Sequence, residues 1–514
     1  KNGILKTDSV QIKWNKLAGA TNYQIYRYDS AKKKYVKLKT VSSGKSSYTD
    51  KKREVENGVS LIVKGLNDFG IEIDEGMLSE TDEKGAYGPY TQSKRKDIYQ
   101  AYVKSLVEQG LAYPCFMTEE ELATIREKQE SEKLLPGVYG EFAKYRDITV
   151  EEAQKRIENG DEYVVRLKSP GKEDKRIKFK DVIKGEIEMP ENILDVVLLK
   201  KDGTPTYHFA HIVDDHLMRT THVIRGDEWI SSVPIHLQLF WLCGLKPPKY
   251  AHISPIMKEE NGGKRKLSKR KDPEAAVSYY SEVGYPKGAI WEYLMTLANS
   301  NYEDWRLANP NEDIDNFKFS FSKMSKAGAL FDMVKLADVS KNYICRLSAE
   351  EVYEMVTDWA KENNKKLYKL LVDDEEYAKA IFAIERGNAK PRKDISAWTD
   401  VENYVSYFYS ELWDRKFDFP DNLSNDDMIE ILELYKQIYD ENVSSDDWFP
   451  QVRDMAETIG YAKAPKVYKK DPDSYKGHVG DVAGVIRVAA TGRRNTPDLY
   501  EILQVLGKDE VMKR

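Results

Sequence analysis

At 514 residues, with 41% hydrophobic and 32% charged content, the chain is long enough for several cores and has the balance of a water-soluble protein. Its longest apolar run, residues 237–245, is interrupted by Gln238 and is far too short to span a bilayer. A formal net charge of −6 excludes a globally basic nucleic-acid binder, so contact with nucleic acid has to use local basic patches.

The chain opens Lys1-Asn2-Gly3 without a starting Met or a signal-peptide pattern, as a fragment would. Residues 8–50 read as short strands, with alternation at 10–14 and 23–28 and a further strand at 35–38 after a Lys-rich turn. Gly19-Ala20-Thr21-Asn22 and Ser42-Ser43-Gly44 supply turns. Four or five strands fit where a complete sandwich needs about seven, which leaves edges unpaired.

From Lys51 the period changes from two to near 3.6, and Val55, Val59, Ile62, Val63 and Leu66 form one apolar stripe ended by Gly70. Residues 94–110, 119–129 and 149–159 read as helices, 163–168 as a strand, and 194–200 as a near-continuous apolar strand turned at Asp202-Gly203. After Tyr207, the residues Phe209, Ile212, Val213 and Leu217 share one helical face. Residues 222–225 make a buried-type strand; Ser231-Ser232-Val233-Pro234 caps a helix reaching Cys243, with Gly244 at its end. This alternation predicts a parallel α/β half, whose ligands gather beyond the carboxyl ends of the strands. Arg225, Glu228 and Trp229 fall at such an end. From about residue 310 the chain reads almost entirely helical, most clearly at 349–363, 374–384, 401–413, 425–439 and 448–459.

Cys115, Cys243 and Cys345 lie far apart and make neither a metal spacing nor a disulfide framework, which fits a reducing cytoplasm. His208, His211 and Asp215 fall on one helical face and could ligate a metal, but no HExxH-type base accompanies them. The densest chemistry is Lys264-Arg265-Lys266-Leu267-Ser268-Lys269-Arg270-Lys271, six cations in eight residues just after Gly262-Gly263. A packed element cannot desolvate so many like charges. Lys side chains, a Ser hydroxyl and glycines that let a loop close suit a polyphosphate; a solvated basic loop or nuclear-import-like cluster is the alternative.

Lys266-Leu267-Ser268-Lys269-Arg270 resembles the KMSKS signature of class I aminoacyl-tRNA synthetases. Upstream, Pro205-Thr206-Tyr207-His208-Phe209-Ala210, then Val213-Asp214-Asp215-His216, then Thr221-His222-Val223-Ile224-Arg225-Gly226-Asp227-Glu228-Trp229 are similar in order and spacing to bacterial glutamyl-tRNA synthetase. The likeness covers about residues 49–514. Before it, Trp14, Gly19-Ala20, Tyr26 and Ser47-Tyr48-Thr49-Asp50 resemble the opening of a bacterial surface-type fibronectin III repeat. Lys323-Met324-Ser325-Lys326 spells KMSK more closely, yet it opens the helical region without a Gly-Gly loop and reads as a decoy.

The resemblance implies a multidomain α/β plus all-α fold. It would place a partial fibronectin III-like β segment at 1–50, the remainder of a first Rossmann half at 51–112 and an inserted acceptor-binding domain at 113–203. A second Rossmann half would follow at 204–257, the KLSKR loop and stem-contact region at 258–325, and a helical anticodon-binding region at 326–514. The implied reaction joins glutamate to tRNA(Glu) through glutamyl-adenylate, using ATP with Mg2+. Lys266 and Lys269 would be catalytic, with Lys266, Leu267, Ser268, Lys269 and Arg270 binding ATP. Tyr207, His211, Arg225, Glu228 and Trp229 would bind glutamate; Arg166, Lys168, Arg493 and Arg494 would bind tRNA.

Some relatives carry a zinc site starting at a Cys-x-Cys pair; here Tyr113-Pro114-Cys115-Phe116-Met117 has Met in the second place, so no zinc is expected. The resemblance further implies a cytoplasmic monomer with no membrane partner. The 514 residues contain no His-x-Gly-His, and Ser47 stands at the family's glutamate position. The chain as written is therefore expected to charge tRNA poorly. An inactive tRNA-binding chimera and a surface adhesion-type protein are the other readings.

Overall fold

The computed structural model describes residues 4–6, 9–13, 22–29, 34–42, 47–50, 58–268 and 270–514. Its contacts divide the chain into a first unit of Lys1–Leu122, Lys144–Leu167 and Val197–Met218, and a second of Ala123–Ala143, Lys168–Val196 and Arg219–Arg514.

In the first unit, the alternating segments near the amino terminus become five strands. Ile4–Lys6, Ser9–Lys13 and Ser47–Asp50 form one antiparallel sheet with Ser9–Lys13 central; Asn22–Asp29 and Lys34–Ser42 form a separate hairpin. Trp14, Gly19-Ala20 and Val55 lie outside the described residues. The 3.6-residue stripe is realised as the helix Gly58–Asp68, with Val63 buried. Ile62 is 65% exposed, so the stripe is narrower than the sequence implies: one residue is about 100° of helix rotation, enough to leave the buried face.

The helix Lys96–Glu108 buries Tyr99, Val103 and Leu106. It leads into a three-stranded antiparallel sheet of Ala112–Cys115, Val164–Leu167 and Val197–Leu199, with Val164–Leu167 in the middle. Thr149 accepts from Glu152 N and caps the helix Val150–Glu158. Cys115 sits in an aromatic cluster with Tyr113, Phe116 and Tyr145. The Arg156 guanidinium carbon is 4.6 Å from the centre of the Phe116 ring. The helix Tyr207–Leu217 buries Phe209, Ile212 and Val213 as its periodicity predicts.

The expected strand at 194–200 is realised only as Val197–Leu199. Asn192 explains the difference: its side chain bonds both the N–H and the carbonyl of Leu194, taking the backbone into a turn instead.

The second unit contains the parallel pair His222–Gly226 and Lys249–Ile253, joined through the helix Val233–Leu242. Ser232 makes no side-chain cap, contrary to expectation; Pro234 in the first turn removes one N–H that would otherwise need an acceptor. His222–Gly226 has one strand neighbour among the described residues, and Ile224 is 52% exposed, so this strand is less covered than its apolar run implies. The hairpin Arg176–Asp181 and Gly185–Pro190 is not among the expected elements, although Ile177 and Phe179 alternate with cations. Val182 N donates to Tyr250 O at 2.8 Å and ties this hairpin to the parallel pair.

Met257–Glu260 and Gly263–Lys266 form a second antiparallel hairpin. The two glycines do not loosen it. Asn261 (φ 52°) and Gly262 (φ 76°) make the positive-φ pair of a tight two-residue turn, and Gly263 is already in the strand. The remainder is helical, around a core that includes Val352, Phe382, Val401, Val452 and Ile486. Ser348 and Glu351 form a capping box on Ala349–Asn363, and Asp374 caps Glu375–Ala383. The expected helix at 401–413 ends at Val405 and tightens to a 3-10 turn over Ser406–Phe408. Tyr407, Phe408 and Tyr409 are all buried, which a regular helix with one buried face cannot do for three successive residues.

Candidate active site

The basic cluster folds on itself before it can meet a ligand. Arg265 donates bidentately to Asp272 at 2.6 and 2.7 Å and through Nε to Glu260 at 2.8 Å. Asp272 is only 2% exposed and also accepts from Ser268 N at 2.8 Å and Lys258 Nζ at 3.3 Å. These donors hold its carboxyl far below the ordinary range, the Arg265 bond first. Leu267 N donates to Ile256 O, fixing the exit of the hairpin. Arg265 is therefore a strut. Lys264, Lys266, Arg270 and Lys271 are exposed and have no ion-pair partner among the described residues. The Ser268 hydroxyl accepts weakly from Arg270 N at 3.4 Å and retains its own hydrogen for donation. Lys269 lies outside the described residues. Asp272 is absent from the expected site residues; its signal is an acid four residues after the Ser, directly after a run of cations.

Arg225 is the next-to-last residue of the strand His222–Gly226, near the end where an α/β sheet presents ligand-binding groups. Its Nε donates to His252 Nε2 at 3.2 Å, and Nη2 lies 3.3 Å from His236 Nδ1. The guanidinium carbon is 5.6 Å from the Trp229 ring centre and 5.2 Å from that of Tyr250. The structure thus brings together Arg225 and Trp229 from the predicted set. Glu228 is exposed, with its carboxyl against Gly226, where a Cβ would overlap it. His236 and His252 are fully buried. Their signal was the crowding of six of the seven histidines between 208 and 252.

In the first unit, the helix Tyr207–Leu217 carries Tyr207 at 49% exposed and His211 buried, their rings stacked at 6.0 Å. His211 Nδ1 lies 2.7 Å from Asp215 Oδ2 one turn on. Among the described residues no group of three His, Cys, Asp or Glu could hold a metal. Asp214 accepts from Arg95 Nε at 2.8 Å and Tyr99 OH at 2.7 Å; burial raises its carboxyl despite both donors. This partly buried Arg95–Asp214 pair secures the helix and is not among the expected contacts.

The proposed nucleic-acid contacts are mixed in accessibility. Arg166 is 9% exposed in the central strand Val164–Leu167, and Lys168 just beyond it is half-buried. Arg493 donates to Asn403 Oδ1 at 2.7 Å and Ser406 Oγ at 2.9 Å, and Arg494 pairs with Asp418 at 3.0 Å. Three further cations of the helical region, Lys390, Arg392 and Lys393, also offer themselves to phosphates: Arg392 pairs with Asp394, whereas Lys390 and Lys393 are exposed. Lys326, in the better-spelled motif, offers its carbonyl to Lys184 Nζ at 2.6 Å and Ser254 Oγ at 2.9 Å, a backbone joint.

Residues 47–338 match the family model of the class I tRNA synthetase (E and Q) catalytic domain, and residues 473–514 match an anticodon binding domain. A glutamate–tRNA ligase of Clostridium perfringens is 53% identical over 470 residues, covering 91% of this chain and 86% of its own. One from Sorangium cellulosum is 45% identical over 494 residues, covering 91% and 86%. The crystal structure of a glutamate tRNA ligase from Elizabethkingia meningosepticum in complex with its amino acid is similar with a TM-score of 0.67 at 27% identity, covering 88% of this chain and 87% of that one.

Proposed function

The chain belongs to the glutamate–tRNA ligase family of class I synthetases, and from that membership we propose that it attaches glutamate to tRNA(Glu) at the expense of ATP. In the first step the glutamate α-carboxylate attacks the α-phosphate of ATP, forming glutamyl-adenylate and releasing pyrophosphate. In the second the acyl group passes to a terminal ribose hydroxyl of tRNA and AMP leaves. The protein's share is electrostatic: fixed donors placed where negative charge develops on the phosphates. Lys266, Lys269 and Arg270, with the Ser268 hydroxyl, supply them in this reading. Arg225 pairs with the substrate's side-chain carboxylate, with Trp229 beside it. The donors on the hairpin are cations and a hydroxyl, a set that fits phosphate oxygens rather than a metal. Mg2+ would therefore arrive on the ATP, where it neutralises phosphate charge.

The observation that carries this reading is the hairpin itself: Asp272 and Glu260 consume Arg265, while Lys264, Lys266, Arg270 and Lys271 are exposed and form no ion pair among the described residues. The test is pyrophosphate release, measured with residues 1–514 and with a version given a family-type amino-terminal segment containing the His-x-Gly-His motif. Release that needs both glutamate and tRNA in the second version supports the proposal, and the first is expected to be far slower. No such release in either would overturn it. Among the described residues no helix is long and apolar enough to cross a membrane. The proposed reaction belongs with translation in the cytoplasm.

Binding of tRNA is expected to weaken steeply with salt through counterion release. Because Arg392, Arg493 and Arg494 already hold internal partners, Lys390 and Lys393 should carry much of that dependence. Replacing both lysines by Ala should reduce the log–log salt slope by about 2. An unchanged slope in filter-binding titrations would move the phosphate contacts elsewhere.

A further inference from the structure

We propose that Asp272 is a positioning residue for the polyphosphate: it closes the segment after the hairpin Met257–Glu260 and Gly263–Lys266 into a preset posture, so that the exposed cations beside Ser268 are in place before ATP arrives. The proposal rests on the reading of that hairpin as the phosphate site.

The pairing register sets Lys258 directly opposite Arg265. Like charges facing each other across an antiparallel pair destabilise it, and the exposed Glu260 pairs with Arg265 without reaching Lys258. Asp272 answers both cations. It accepts from Arg265 Nη1 at 2.6 Å and Nη2 at 2.7 Å, and from Lys258 Nζ at 3.3 Å. Glu274, two residues on and nearly buried, takes a further bond from Lys258, and its carbonyl accepts from Tyr280 OH at 2.6 Å. The same Asp272 carboxylate reaches the backbone of the basic segment. Its Oδ2 accepts from Ser268 N at 2.8 Å, while Asp272 N donates to Ser268 O at 2.8 Å. The segment from Ser268 to Asp272 is thereby closed twice, once through a side chain and once through the backbone. Asp272 is almost fully buried, so water does not replace it for these donors when it is removed.

Charge alone argues against an acid at this place. Asp272 adds a negative charge to a cluster that would attract a polyanion, and it occupies Arg265 as well. What it contributes is geometric: a backbone already fixed loses less freedom when a ligand binds. The electrostatic and the positioning effects of Asp272 therefore have opposite signs on polyphosphate affinity.

Calorimetry with inorganic pyrophosphate, on the 514-residue protein and its variants at one salt concentration, separates them. Glu260→Gln takes an acid away from Arg265 without touching Ser268, and should leave the affinity unchanged or raise it. Asp272→Ala takes an acid away from the same arginine and should instead weaken pyrophosphate by about threefold to tenfold, the scale of the freedom lost in ordering a short segment. Asp272→Asn, whose side-chain oxygen can still accept from Ser268 N, should recover much of that loss. Amide exchange in the unmodified protein does not depend on any variant folding. Peptic fragments across residues 264–276 should be protected without ligand and gain little protection when pyrophosphate is added. An affinity raised by Asp272→Ala, or protection that arises only with pyrophosphate, would overturn the positioning role. If the unmodified protein does not bind pyrophosphate, or if Lys266→Ala combined with Arg270→Ala leaves the affinity unchanged, the reading of the hairpin fails and the proposal falls with it. Weakening by that double variant but not by Asp272→Ala would sink the role of Asp272 alone.

Discussion

Replacing Lys269 by Ala is expected to slow glutamyl-adenylate formation by about 10²–10³-fold, the usual loss when one preorganised donor to a developing anion is removed. The comparison should be made in the version carrying the family-type amino-terminal segment, so that turnover is measurable. Affinity for tRNA should change little, because the ammonium acts on charge that appears in the transition state. Lys269 is outside the described residues, but its neighbours are anchored: Ser268 N is held by Asp272, and Lys271 N donates to Ser268 O at 3.0 Å. Pyrophosphate exchange within about twofold of the parent would remove Lys269 from the chemistry. Arg265→Ala provides a contrast. Its charge is already committed to Asp272 and Glu260, so its loss should act by releasing the hairpin rather than by removing a phosphate donor.

The largest expected stability effect lies away from the site, at Glu292 in the helix Lys287–Ala298. This carboxylate is buried between Arg306, 3.2 Å away, and Arg346. The Arg306 guanidinium carbon also lies 4.9 Å from the Trp305 ring centre. Glu292→Ala leaves two poorly solvated cations facing each other, and removing one partner of a buried pair costs about 3–5 kcal/mol. Arg306 and Arg346 retain 12% and 21% side-chain exposure, which favours the lower end. Glu292→Gln keeps an acceptor and should cost less than Ala. Calorimetric unfolding checks both, and a loss below about 1 kcal/mol for Ala would contradict the account. Burial raises the Glu292 carboxyl above its ordinary 4.5, with both arginines pulling it back. With the folded value above the unfolded one, this group's contribution is full below about pH 4.5 and declines as pH rises through the folded value.

Much of the architecture was legible because local rules and tertiary packing agree there. The helix Ala349–Asn363 is delimited by a capping box, and Tyr207–Leu217 by its apolar period. The hairpin before Ser268 was not legible as a loop loosened by two glycines; Asn261-Gly262, a pair that tolerates positive φ, sets it instead. The readings failed where a side chain or a crowded core overruled the local pattern: Asn192 shortened the strand before Leu199, and three successive buried aromatics broke the helix after Val405.

For the candidate site, composition and order alone determined where charge accumulates and which residue types could meet phosphate and carboxylate. Linear spacing is enough for that, because the cations of the hairpin and the end of the strand at Arg225 are local features. The tertiary structure decided which groups hold those charges. Arg265 and Arg225 are equivalent on paper, yet one is neutralised by an acid seven residues ahead and the other is held by histidines 11 and 27 residues away. Whether an arginine meets a carboxylate or an imidazole depends on which strands and hairpins pack beside it, and a guanidinium's usable charge is set by that partner.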